Sequence, residues 1–198
     1  RLIASGALTS ERLVLALAKR IEERDPVVRA WLHVDIDFAL RQARDLDRGP
    51  VRGPLHGLPF GVKDIIDTAD MPTTYNSALF EGYVPARDAT CVAVARRMGG
   101  ILIGKADTVE FAAGGRRAAT TNPHDPSRTP GGSSSGSAAM VADFQVPWSF
   151  GTQTGGSLIR PASFCGIYAF KPTWSAVSPQ GLRFFSHLDT VGWYGRSI

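Results

Sequence analysis

Near the N-terminus apolar positions recur at helical spacing. Leu13, Leu17 and Ile21 fall on one face of a helix that Thr9 or Ser10 can cap, with Glu11 in its first turn and Asp25-Pro26 stopping it after Arg24. Residues 28–34 read as a short strand, and a second helix over 36–47 carries Phe38, Ala39, Ala43 and Leu46 on its apolar side. Together the two helices look like an amphipathic cover. The pattern changes at Gly49: Phe60–Ile66 is a β-prone apolar run interrupted by Lys63, and 67–85 is irregular. A helix at 88–98 ends at Gly99-Gly100, Ile101–Ile103 is a short buried strand, and 107–113 reads as another helix. After a loop at 114–133, the small residues of Ser134–Asp143 suit a helix lying close on a sheet, and Val146–Phe150 is the next strand. A loop over Thr152–Gly156 leads into a short helix beginning near Ser157; Phe164–Phe170 is apolar again, and the last 26 residues are strand-poor. Helix, glycine and apolar strand in alternation is the sign of an α/β layered sheet.

The 198 residues are enough for one sizeable core, and 43% apolar with 20% charged is ordinary for a soluble globular protein. No apolar run approaches the roughly 18–20 residues that span a bilayer, so no membrane association is expected. The net charge of +4 comes from arginine, which supplies 18 of the 22 basic residues. The adjacent basic pairs are Lys19-Arg20, Arg96-Arg97 and Arg116-Arg117, and no stripe interleaves them with aromatics, which argues against a nucleic-acid partner. Cys91 and Cys165 sit in apolar settings and read as small core residues of a protein in a reducing, cytoplasmic compartment.

Two motif matches fail on inspection. Gly132-Ser-Ser134-Ser-Gly136 fits G-x-S-x-G, but Arg128-Thr-Pro-Gly precedes it where a strand is required, and His187 comes before Asp189. Gly99 to Lys105 fits G-x-x-x-x-G-K, but Ala106 replaces the Ser/Thr and Ile101–Ile103 fills the loop. The four histidines show no ligand spacing, so no metal is expected.

Two small-residue loops remain, Pro130-Gly-Gly-Ser-Ser-Ser-Gly-Ser-Ala-Ala139 and Gly151-Thr-Gln-Thr-Gly-Gly-Ser-Leu-Ile-Arg-Pro-Ala162. Such loops let backbone amides approach a ligand closely. A serine hydroxyl needs a base before it is a nucleophile, and a lysine serves if burial keeps its amine neutral. Lys63, flanked by Val62 and Ile65-Ile66, is the candidate, and a second serine could pass the proton. The alternative is an edge-strand lysine whose head reaches water.

With these residues the chain resembles the N-terminal half of the amidase signature family. The matching segments are Gly57-Leu-Pro-Phe-Gly-Val-Lys-Asp64, Pro130–Ser137, Gly151–Ser157, Pro161-Ala162, Phe164-Cys-Gly166 and Lys171-Pro172. The resemblance implies a layered mixed sheet covered by helices on both faces, in one domain over 1–198 that is incomplete at its C-terminus, with helical cover over 1–48 and the catalytic core over 49–198. It implies Ser157 as the acyl-accepting nucleophile, Ser133 as a bridging serine on a cis peptide, and Lys63 as the base. The amides of Thr154, Gly155, Gly156 and Ser157 would form the oxyanion hole, with Ser134, Ser135 and Thr152 behind them. Two departures from the commonest pattern are Gln153 in place of Asp and Arg160 three residues after the nucleophile instead of two. Both resemble the malonamidase branch, in which the arginine grips a substrate carboxylate; the alternative for Arg160 is a structural arginine tied to backbone carbonyls.

The implied activity is hydrolysis of the C–N bond of a small carboxylate-bearing amide, with release of ammonia and no cofactor. A homodimer is compatible with it. The competing reading is a non-catalytic fragment or one component of a larger assembly, such as the A-type component of an amidotransferase.

Overall fold

In the computed structural model, which describes residues 2–182 and 187–197, three parallel strands form the middle of a six-stranded mixed sheet. They are β2 (Pro59–Lys63), β3 (Ile101–Ala106) and β4 (Trp148–Gln153). With β1 (Trp31–Val34), β5 (Tyr168–Phe170) and β6 (Thr190–Gly195), the sheet order is β1-β3-β2-β4-β6-β5. β1 pairs antiparallel with β3, and β6 pairs antiparallel with both β4 and β5. β1 therefore places part of the N-terminal segment in the sheet itself.

The chain leaves β2, forms α3 (Thr90–Arg97) and returns as β3 on one side. It then forms α4 (Ser135–Ala142) and returns as β4 on the other side of β2. Crossovers of one hand running in opposite directions put their helices on opposite faces of a sheet. Burial follows that rule. Ile101 and Ile103 of β3 pack with residues of α1 (Ser10–Val28), α2 (Ile36–Arg48), α4 and α5 (Ile159–Cys165). Leu102, Phe60, Val62 and Phe150 pack with Cys91, Val92 and Ala95 of α3. Alternate residues of one strand thus feed two cores, as the period of a strand requires. Among the described residues, no helix is long and apolar enough to cross a membrane.

Three expectations need correction. α1 does not stop at Asp25-Pro26 but runs through Pro26 to Val28. A proline this close to the C-terminus forfeits only one helical bond, and the actual stop is Arg29 in the left-handed region, whose N–H reaches Asp25 O at 2.8 Å. No helix forms over 107–113, only a 3-10 turn at Glu110–Ala112 with Phe111 at φ 50°. The amides there serve tertiary partners instead: Val109 N donates to Ser133 O and Phe111 N to Tyr75 O. The strand-poor tail contains β6, in the interior of the sheet. Its glycines hide the pattern, but one is demanded by packing, because a Cβ on Gly192 would collide with Leu158 and the carbonyl of Phe170.

Candidate active site

β2, β3 and β4 run parallel and end on the same edge of the sheet, and the strand order reverses at β2. That edge, at the reversal, is where open α/β sheets place their ligand sites. Lys63 is the last residue of β2, Ala106 of β3 and Gln153 of β4. Ser133 and Ser134 lie just before α4, and Ser157 and Leu158 just before α5.

Lys63 is wholly buried, with 0% of its surface exposed, so its head does not reach water. Its Nζ donates to Ser133 Oγ at 2.8 Å and to Thr152 Oγ1 at 2.9 Å. Burial pushes the amine down to about 7, opposed by a smaller upward pull from Asp189. The peptide bond between Gly132 and Ser133 is cis. Ser134 fastens the two small-residue loops together: its hydroxyl donates to Thr152 O at 3.1 Å and accepts from Thr152 N at 3.3 Å, while its amide donates to Ser157 O at 3.3 Å. Ser135 Oγ donates to Gly131 O at 2.8 Å and so closes its own loop.

Ser157 is half-buried, and its carbonyl also accepts from Tyr194 OH at 3.4 Å. Among the described residues its hydroxyl makes no hydrogen bond to Ser133 or to any other group. The structure therefore joins Lys63 to Ser133 directly and brings Ser157 beside them only through the main chain. Apo catalytic contacts are commonly long and tighten when substrate binds.

Gln153 shapes the loop that precedes Ser157. Its Oε1 accepts from both Leu158 N and Ile159 N at 3.0 Å, closing a loop over Thr154–Ser157. Within that loop a Cβ on Gly155 would meet nothing within 4 Å, and one on Gly156 only Arg160 Cβ at 3.9 Å. Neither packing nor a positive φ asks for glycine there. Among the described residues the main-chain amides of Thr154, Gly155, Gly156 and Ser157 donate to no protein acceptor, as an incoming carbonyl oxygen would need.

Arg160 is exposed and turns its fork inward: Nε donates to Gly132 O at 2.9 Å and Nη2 to the same oxygen at 2.5 Å. It lines a groove of about 660 Å³ with Gly131, Gly132, Ser135, Arg117 and Arg128.

Sequence reasoning did not find three contributors. Asp189, 6% exposed, accepts from Thr154 Oγ1 at 2.5 Å and acts on Lys63, but it lies in the tail where no motif marks it. The capping role of Gln153 depends on how β4 leads into α5. Thr108, whose hydroxyl donates to Ser133 O at 2.9 Å, lay in a segment expected to be helix. Among the described residues no cluster of His, Cys, Asp and Glu is placed to ligate a metal.

The Amidase family profile matches residues 12–198. The A-type component of glutamyl-tRNA(Gln) amidotransferase from Acidothermus cellulolyticus is 44% identical over 207 residues, covering 100% of this chain and 41% of that protein. The crystal structure of peptide amidase from Stenotrophomonas maltophilia superposes with a TM-score of 0.93 at 36% identity, over 99% of this chain and 44% of that one. An amidase family protein from Bacillus anthracis does so with a TM-score of 0.92 at 31% identity, over 99% and 42%. The chain thus spans about two-fifths of the length of the relatives it matches.

Proposed function

Since this chain belongs to the amidase signature family, we propose that it hydrolyses the C–N bond of a small, carboxylate-bearing amide through an acyl-Ser157 intermediate. The observation that carries this reading is Lys63: wholly buried, pushed down to about 7, and donating to Ser133 Oγ at 2.8 Å. An amine that is half neutral near pH 7 can accept a proton, and Ser133 is the group in position to pass it one.

Ser157 Oγ attacks the amide carbon. Its proton moves to Ser133 Oγ as the Ser133 proton moves to Lys63 Nζ. The amides of Thr154, Gly155, Gly156 and Ser157 stabilise the oxyanion; losing one such donor typically costs about 3–4 kcal/mol of transition-state stabilisation. The relay then runs backwards, the leaving nitrogen takes the proton, and ammonia departs. Water attacks the acyl ester by the same relay and frees the acid. Ser134 and Thr152 hold the relay in register, and Ser135 holds the Gly131 turn. Arg160 takes the substrate carboxylate with the guanidinium N–H groups that Gly132 O leaves free.

The reading needs no cofactor and places the protein in the cytoplasm, where the free, buried Cys91 and Cys165 stay reduced. It admits a homodimer. A second reading is favoured by the 44% identity to the amidotransferase component: the chain acts as part of a larger assembly. An ammonia-release screen over amides with and without a free carboxylate tests both. Turnover by this chain, abolished in Ser157→Ala, supports the first reading. Full activity in Ser157→Ala would remove it, and release that needs an added partner would favour the second.

A further inference from the structure

The peptide that carries Ser133 is gripped on each of its oxygens. Gly132 O accepts from Arg160, and Ser133 Oγ accepts from Lys63. Ser133 O accepts from Thr108 Oγ1 at 2.9 Å and from Val109 N at 3.3 Å. Thr108 is fully buried two residues beyond the end of β3, and its hydroxyl has one other acceptor within reach, Val109 O at 3.1 Å.

Thr108 is itself anchored. Its amide donates to Asp107 Oδ1 at 2.8 Å, and its carbonyl accepts from Asn76 Nδ2 at 2.6 Å. Asn76 N lies 3.2 Å from Thr74 Oγ1, and Thr74 donates through both its amide and its hydroxyl to Asp64 Oδ2, at 3.0 and 2.5 Å. Asp64 pairs with the buried Lys105 at 3.4 Å, and Lys105 Nζ also donates to Ile66 O and Thr73 Oγ1. A continuous polar chain, buried except at the half-buried Thr74, therefore starts one residue after Lys63, at Asp64, and ends on the carbonyl of Ser133. Buried polar networks whose members are paired rigidify what they hold.

We propose that Thr108 is a positioning residue for the reaction: its hydroxyl, anchored through Asn76 to the Asp64–Lys105 pair, fixes the peptide plane of Ser133 so that the Ser133 hydroxyl stays on Lys63. This rests on the acyl-Ser157 reading. Thr108 touches neither substrate nor reacting atoms, so its loss acts on the relay and leaves binding alone.

The test uses three variants of the chain. Thr108→Val keeps the shape and removes the hydroxyl, while Thr108→Ser and Thr108→Ala share a lost methyl and differ only in the hydroxyl. One net hydrogen bond corresponds to about a tenfold change in rate. Thr108→Val and Thr108→Ala should lose about tenfold in kcat with KM within about twofold, and Thr108→Ser should recover most of that loss. The rate at which a fluorophosphonate labels Ser157, followed by mass spectrometry, should fall in the same order. If Thr108→Val misfolds, the ratio between the Ser and Ala variants decides. Equal rates in Ser and Ala, or a rise in KM instead of a fall in kcat, would overturn the proposal. Ser157→Ala separates the two layers. If it abolishes turnover and labelling while the Thr108 variants match the wild type, only the positioning role fails. If turnover survives it, or Ser157 is not labelled, the acyl-serine reading falls and the positioning role with it.

Discussion

Replacing Lys63 by Met should stabilise the folded chain at neutral and acid pH while destroying its activity. An ordinary lysine titrates at 10.5, and Lys63 is pushed down to about 7, chiefly by burial. At about 1.36 kcal/mol per pH unit, the gap corresponds to roughly 5 kcal/mol for keeping the ammonium in the fold. Below pH 7 the folded and unfolded chains both carry the proton, and the whole cost is present. Between 7 and 10.5 the unfolded chain holds a proton that the folded chain has released, so stability rises with pH. Above 10.5 neither is charged and the cost is gone. Against this, Lys63→Met leaves Ser133 Oγ and Thr152 Oγ1 without their buried donor, a loss of about 1–3 kcal/mol. The variant should therefore be more stable than the wild type by about 2–4 kcal/mol at pH 6. That advantage should shrink by roughly 1.4 kcal/mol per pH unit above 7 and vanish or reverse by about pH 10. Urea unfolding of both proteins across pH 6–10 measures the difference, in which Lys105 and the tyrosines cancel because they are common to both. The same titration should appear in the wild-type rate, half-maximal near pH 7 and flat above about pH 8. A stability difference that does not change with pH would refute the claim that Lys63 is neutral in the fold above pH 7.

Two further outcomes are expected. Arg160→Ala should raise KM for amides with a free carboxylate by about 10- to 100-fold, the worth of a hydrogen bond to a charged group, with a much smaller effect on neutral amides; equal losses on both would leave Arg160 only its hold on Gly132 O. Asp189→Asn removes the charge that holds the Lys63 amine up, so the midpoint of the pH–rate profile should move to lower pH. An unmoved midpoint would show that Asp189 does not act on the base.

The layers and most elements were legible because local pattern reports them. The face of α1 with Leu13, Leu17 and Ile21, the apolar side of α2, the Gly99-Gly100 stop after α3 and the small residues of α4 are statements about neighbouring positions. The same holds for the resemblance carried by Lys63, Ser133 and Ser157, since it rests on short contiguous strings. Two of the three errors fell where a long-range partner overrode the local signal. Segment 107–113 gave up a helix because Val109 N and Phe111 N serve Ser133 and Tyr75. β6 was hidden by Gly192, which is glycine because Leu158 and Phe170 leave no room for a Cβ.

By itself, then, the sequence determined the α/β layering, the family and the identity of the serine and lysine candidates, because each is written in residues adjacent along the chain. Tertiary structure alone decided that strand order reverses at β2, that Lys63 is wholly buried and pushed down to about 7, and that Arg160 turns its fork onto Gly132 O. It alone brought Asp189 and Thr108 to the site. Burial and hydrogen bonding between groups 25 to 100 or more residues apart depend on where the sheet sets them, and no window along the chain contains both partners.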